Sequence, residues 1–190
     1  MTSLILASQS PYRRQLLEQA GFEVITIPAG IDEPDPRSFG PLEQGLQHLA
    51  LLKAAAVARQ GLAGLILAAD TVGSVAGEVF GKPADRDDAR RMLLAISGTT
   101  HSVLTGWCLW RTSDGLSLSG VERTRIVMRH WTSAELEDYL DSGDWEGKCG
   151  AYGLRLEGDP FVTQILGSAA NVIGLPIERL QEVLAEFPAL

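Results

Sequence analysis

Three features of the chain predict an α/β domain on a mixed sheet: short apolar runs, helical spacing between them, and one long hairpin. Leu4–Ala7 and Leu65–Ala69 are apolar at every position, the pattern of buried strands. Between them, Pro41 to about Arg59 sets Leu42, Leu46, Leu49, Lys53 and Val57 on one broad helical face. His101–Trp110 and Leu116–Trp131 are β-rich and joined by Thr112-Ser113-Asp114-Gly115, a clear hairpin signal. Strands separated by helices, together with a hairpin, make a mixed sheet with flanking helices.

The elements follow in order. After Leu4–Ala7, Ser10 can cap a helix whose first turn holds Pro11, with Leu16 and Leu17 inward and Gly21 just past its end. Phe22–Ile27 alternates like a half-buried strand. Pro28, Pro34 and Pro36 then predict an irregular loop as far as Arg37. The helix at 41–59 leads to the strand that ends, on this reading, by delivering Asp70 to a loop. Thr71–Phe80 reads as a hairpin turning near Ala76-Gly77. Asp85 and Asp88 open a helix with Ala89, Met92, Leu93 and Ile96 inward, stopped by Gly98. After the long hairpin, Thr132-Ser133-Ala134-Glu135 is a capping box for a helix to about Ser142. A glycine-rich segment, 143–153, carries Lys148. A strand over Phe161–Leu166, a loop over Gly167–Pro176 and a helix over Ile177–Phe187 close the chain.

Length and charge narrow the function. The 190 residues are enough for one domain with a sizeable core, and 1–190 reads as one unit without repeat or linker. A net charge of −8 disfavours a nucleic-acid partner. The N-terminal residues lack a signal peptide's basic start and long apolar core, and no apolar run is long enough to span a membrane. Cys108 and Cys149 fit thiols in a reducing cytoplasm, and His48, His101 and His130 form no metal-binding pair.

Three groups of residues can carry chemistry. Ser8, Ser10, Arg13 and Arg14 stand at a strand-to-helix turn, where unpaired N–H groups and the helix dipole suit a phosphate; the same residues also suit a plain capped helix. Asp70, with Asp32 or Glu33, supplies carboxylates for activating water or holding Mg²⁺, while an Asp after a strand is also a common turn residue. Lys53, Lys82 and Lys148 occupy unusual contexts, and Lys53 on an apolar helical face is the oddest. Trp107, Trp110 and Trp131 read as packing residues. A transferase is disfavoured, because Ser8–Arg14 has no glycine with which to form a dinucleotide fingerprint.

Taken in order, these segments resemble the Maf family of nucleotide pyrophosphatases over nearly the whole chain. The resemblance rests on Leu4–Leu17 with its Ser8-Gln9-Ser10-Pro11-Tyr12-Arg13-Arg14, Asp32-Glu33, Leu51-Leu52-Lys53-Ala54, Ala69-Asp70-Thr71-Val72, Gly81-Lys82-Pro83, Ser97–Gly106, Lys148–Gly153 and Asn171–Pro176. It implies an elongated α/β fold of two lobes, related to inosine-triphosphate pyrophosphatases. It implies hydrolysis of a nucleoside triphosphate to the monophosphate and pyrophosphate with a divalent metal, Mg²⁺ or Mn²⁺. The protein would be cytoplasmic and a homodimer, clearing surplus or non-standard nucleotides. The alternative is a nucleotide-binding regulator of septum formation that does not cut its ligand. The resemblance makes Asp70 catalytic and a metal ligand with Glu33, and makes Ser8, Ser10, Arg13, Arg14, Lys53 and Lys82 substrate contacts.

It also marks Tyr12, Thr71 and Arg155 as specificity positions. Members favouring dTTP and UTP carry Arg, Thr and Gln there, whereas members favouring 7-methyl-GTP carry an aromatic first and Glu last. This chain mixes the two. Tyr12 can stack on a base, and Arg155, which only donates, suits base carbonyls and repels a cationic methylated guanine. The balance leans to the dTTP/UTP type.

Overall fold

The structure, a computed structural model, describes residues 3–187. Its strands are β1 (Ser3–Leu6), β2 (Glu23–Thr26), β3 (Leu65–Val75), β4 (Glu78–Phe80), β5 (Thr100–Arg111), β6 (Ser117–Met128) and β7 (Val162–Leu166). Its helices are α1 (Pro11–Gln19), α2 (Leu42–Ala58), α3 (Arg86–Ile96), α4 (Ser133–Ser142), α5 (Ala169–Ile173) and α6 (Ile177–Glu186). The seven strands form one mixed sheet in the order β2-β1-β3-β5-β6-β7, with β4 paired to β3. β1 runs parallel to both β2 and β3; β4 and β7 run antiparallel to their partners. The expected α/β class with a mixed sheet and flanking helices is what forms.

The chain divides into two compact units. One comprises the residues up to Asp70, Thr105–Glu122 and those from Gly174 on; the other comprises Thr71–Leu104 and Arg123–Ile173. In the first, Ala50, Ala54 and Val57 of α2 pack on Ile5 and Ala7, on Ile66 and Ala68 of β3, and on Cys108 of β5. In the second, Ala89, Met92, Leu93 and Ile96 of α3 and Leu136, Tyr139 and Leu140 of α4 bury Phe80, Met128 and Phe161. Trp131 stacks on Phe161 with ring centres 3.6 Å apart.

Local chemistry explains most boundaries. Ser10 Oγ accepts the Arg13 N–H at the head of α1, Asp85 accepts the Asp88 N–H before α3, and Thr132 and Glu135 form the full capping box of α4. Ala76 and Gly77 both have positive φ, 49° and 85°, as a two-residue hairpin turn requires.

Five expectations need correction. β3 does not stop before Asp70 but continues to Val75. The proline-rich loop is not wholly irregular: Pro36–Phe39 forms a 3₁₀ turn, because proline suits a first helical position and Asp35 accepts the Arg37 N–H. The 167–176 segment contains α5, started where Ser168 Oγ accepts the Asn171 N–H. β6 ends at Met128, so His130 does not alternate along a strand; its ring lies over Gly98. β2 is an outer strand with Ile25 exposed rather than half-buried. Among the described residues no helix is long and apolar enough to cross a membrane, and the two cysteines are not joined.

Candidate active site

Alternation along β3 turns Ile66, Ala68 and Asp70 to the same face. Ile66 and Ala68 pack on α2, so the carboxylate that follows meets α2 one turn before Val57, at Lys53. Lys53 Nζ donates to Asp70 Oδ1 at 2.7 Å and pairs with Glu33 Oε2 at 2.8 Å. The side chains of Lys53 and Asp70 are only 6% and 16% exposed; that of Glu33 is 53% exposed. A buried ammonium therefore holds two carboxylates from a helix-adjacent loop and a mid-strand position. Asp32 remains exposed and the pair is completed by Glu33. The turn reading of Asp70 is removed, since a mid-strand residue closes no turn.

Two close backbone approaches fix α2, and the sequence reading missed both. A Cβ on Gly45 would overlap the carbonyl of Pro36, and one on Gly106 would lie 2.5 Å from the carbonyl oxygen of Leu46. The first docks on α2 the 3₁₀ turn that follows Glu33; the second docks α2 on β5. The available signal was glycine inside a helix and inside a strand, costly unless backbone comes close.

The β1–α1 turn is built as expected, but its arginines diverge. Ser8 Oγ accepts the Ser10 N–H at 3.1 Å and Arg13 Nη1 at 3.3 Å. Arg13 also donates from Nε to the Gly174 carbonyl at 3.0 Å and from Nη1 to the Ala69 carbonyl at 2.9 Å. Arg14 instead pairs with Glu18 one turn on, its side chain 56% exposed. Tyr12 is exposed beside them. Thus Ser8, Ser10 and Arg13 lie on one turn tied through the Ala69 carbonyl to the strand of Asp70, while Lys53 and Glu33 meet the site at the Asp70 carboxylate itself.

Lys82, Thr71 and Arg155 belong to the second unit. Lys82 is exposed between the β3–β4 hairpin and α3. Thr71 follows Asp70 in β3, and its carbonyl accepts the Cys149 thiol at 3.1 Å. Lys148 donates to the backbone carbonyl of Asp144. Arg155 pairs with Asp144 at 3.2 Å, and its backbone N–H donates to Asp159. Burial alone would raise the carboxyl of Asp159; donors from Tyr152, Arg155, Val162 and Phe161 outweigh it and hold the group below its ordinary value. The Tyr152 hydroxyl is pushed up by burial and by that carboxylate.

Among the described residues no group of three or more His, Cys, Asp or Glu side chains forms a ready metal cage. Glu33 and Asp70, which share the Lys53 ammonium, are two carboxylates, and Mg²⁺ is commonly held by one or two carboxylates when substrate phosphates complete its shell.

A mid-strand acid on a buried ammonium and the capped, serine-bearing start of α1 thus stand on one mixed α/β sheet. The chain belongs to the family described as Maf-like protein, whose model matches residues 3–187. It is similar to three proteins named dTTP/UTP pyrophosphatase. One, from Rhodopirellula baltica, is 44% identical over 97% of this chain and 82% of its own; one from Bdellovibrio bacteriovorus is 39% identical over 97% and 98%. The third, from Anaeromyxobacter dehalogenans strain 2CP-C, is 42% identical over 97% and 95%. A solved nucleoside-triphosphatase described as a dITP/XTP pyrophosphatase, from Mycobacterium abscessus, matches 99% of this chain and 100% of its own, with 16% identity and a TM-score of 0.46.

Proposed function

We propose that this protein hydrolyses nucleoside triphosphates of the dTTP/UTP type to the monophosphate and pyrophosphate. The observation that carries the reading is the Lys53 ammonium held between Asp70 and Glu33. Relatives named dTTP/UTP pyrophosphatase, 39–44% identical over most of the chain, support the substrate class.

Water attacks the α-phosphorus and pyrophosphate leaves. Asp70 accepts the proton of that water, as a general base held in place by one hydrogen bond from Lys53. Lys53 offsets the charge that grows on the phosphate oxygens, in a setting where burial strengthens it. The N-terminus of α1, with the hydroxyls of Ser8 and Ser10, offers donors to the phosphates, and Arg14 and Lys82 add positive charge. Glu33 and Asp70 would hold a Mg²⁺ or Mn²⁺ ion, which supplies Lewis-acid neutralisation of phosphate charge when bound. Arg155 suits the two carbonyls of uracil or thymine, and Tyr12 the base face. A cytoplasmic homodimer clearing surplus nucleotides is the setting that the family resemblance supports.

The test is pyrophosphate release from UTP, dTTP, CTP, GTP and 7-methyl-GTP with Mg²⁺ or Mn²⁺. UTP and dTTP should lead, and Asp70→Asn should lower kcat by about 10³-fold or more. Full turnover in Asp70→Asn would remove Asp70 from the chemistry. Dominant 7-methyl-GTP hydrolysis would overturn the role given to Arg155, and nucleotide binding without any pyrophosphate would favour the regulator.

A further inference from the structure

We propose that Arg13 is a positioning residue for Asp70 and not a phosphate ligand. The proposal rests on the reading of Asp70 as the carboxylate that acts on water.

The parallel ladder between β1 and β3 explains why a guanidinium is needed. Its last strand rungs pair Leu6 with Leu67, and the Ala7 N–H donates to the Leu67 carbonyl at 2.8 Å. The next rung of a parallel ladder falls on the Ala69 carbonyl and calls for a donor at residue 9. By then the chain has turned at Ser8 toward α1, whose cap is Ser10. Arg13 Nη1 takes that place, 2.9 Å from the Ala69 oxygen. A buried carbonyl left without a donor costs free energy, so the contact has a structural reason of its own.

That carbonyl belongs to the peptide group that also carries the Asp70 N–H. Holding its plane holds the direction in which the Asp70 side chain leaves β3. The same guanidinium binds the Gly174 carbonyl through Nε at 3.0 Å and Ser8 Oγ through Nη1 at 3.3 Å. Three segments are clasped: the β1–α1 turn, β3, and the stretch before α6. Only a planar fork spans such acceptors at once; a lysine ammonium is a point charge on a flexible stem. Lys53 fixes the carboxylate end of Asp70 and Arg13 its backbone end.

Arg13→Lys separates positioning from phosphate binding, because it keeps the charge and loses the fork. With UTP as substrate, kcat should fall about 100-fold, the scale of a displacement of about 1 Å at a reacting group. The Kd for α,β-imido-UTP, measured by calorimetry, should stay within about 3-fold. A second measurement uses the wild-type protein. The Arg13 Nε–H, bonded to Gly174, should give a slowly exchanging NMR signal that α,β-imido-UTP does not shift. A Kd weakened tenfold or more with kcat kept would overturn the proposal, as would both constants unchanged. Should kcat fall and Kd rise together, or the variant fail to fold, the wild-type signal decides: fast exchange and a shift on adding the analogue overturn the brace. Full turnover in Asp70→Asn would remove the catalytic reading of Asp70, yet the Nε–H result, a property of the free protein, would stand.

Discussion

Replacing Lys53 by Met removes the ammonium while keeping most of the stem that packs in the α2 face. At 2.7 Å and an effective dielectric of about 20, the attraction between Lys53 and Asp70 is about 6 kcal/mol before desolvation. Both side chains are nearly buried, so desolvation offsets about half, leaving a coupling of about 3 kcal/mol. The pair with Glu33 has similar length but one partner half in water, which limits its coupling to about 1 kcal/mol or less. Two double-mutant cycles by urea unfolding at pH 7 read these values: Lys53→Met with Asp70→Asn, and Lys53→Met with Glu33→Gln. In a chain of this size the larger coupling corresponds to about 6–12 °C in Tm. An Asp70 coupling below about 1 kcal/mol, or a Glu33 coupling larger than it, would refute the argument that burial makes this ion pair the anchor of the site.

Two further outcomes follow from buried features outside the charged centre. His101 is buried at the start of β5, its Nδ1 has no hydrogen-bond partner among the described residues, and burial pushes its imidazole down to about 4. The unfolded chain protonates first, near 6.5, so this contribution is full above that pH and is lost as pH falls through about 4, about 3 kcal/mol in all. Urea unfolding at pH 7 and pH 4 should show wild type losing that much more than His101→Gln; parallel losses refute it. Gly106→Ala forces a Cβ to within 2.5 Å of the Leu46 carbonyl oxygen. α2 must retreat, lowering stability by about 1–3 kcal/mol and carrying Lys53 away from Asp70; an unchanged Tm and kcat would refute the close packing.

The sequence made legible what depends on local chemistry. Caps at Ser10 and Thr132, the Ala76-Gly77 turn and the inward stripe of α3 are decided within a few residues of themselves and all form as read; Asp85, read as part of an acidic first turn, proves to be the cap. What stayed hidden depends on partners far along the chain. Polar residues after an apolar run mark a strand's end only where nothing polar waits for them; Lys53 waits for Asp70, so β3 continues. Phe22–Ile27 alternates, but no sequence pattern says that β2 has a neighbour on one side only. Gly45 gives no local sign of its reason, the Pro36 carbonyl in the 3₁₀ turn before α2. Arg13 and Arg14 are adjacent and chemically identical, and only the fold turns one toward Ala69 and the other toward Glu18.

Two oddities of the sequence prove to be one feature seen from two sides. A lysine in an apolar helical stripe is, alone, an ordinary snorkelling residue. An aspartate after an apolar run is, alone, an ordinary turn residue. Each bland reading requires its residue to stand in water, and both side chains are largely withdrawn from it, at 6% and 16% exposure. An unpaired buried charge is too costly to persist, so burial of both demands that they meet. Of the two neighbouring acids, it is Glu33 that the ammonium also holds, at 2.8 Å. Such a pair adds little net stability over an apolar substitute. An arrangement that an apolar pair could replace without loss of stability, yet is held from the backbone side by Arg13 and from the helix side by two close-packed glycines, is explained by the carboxylate it keeps in place.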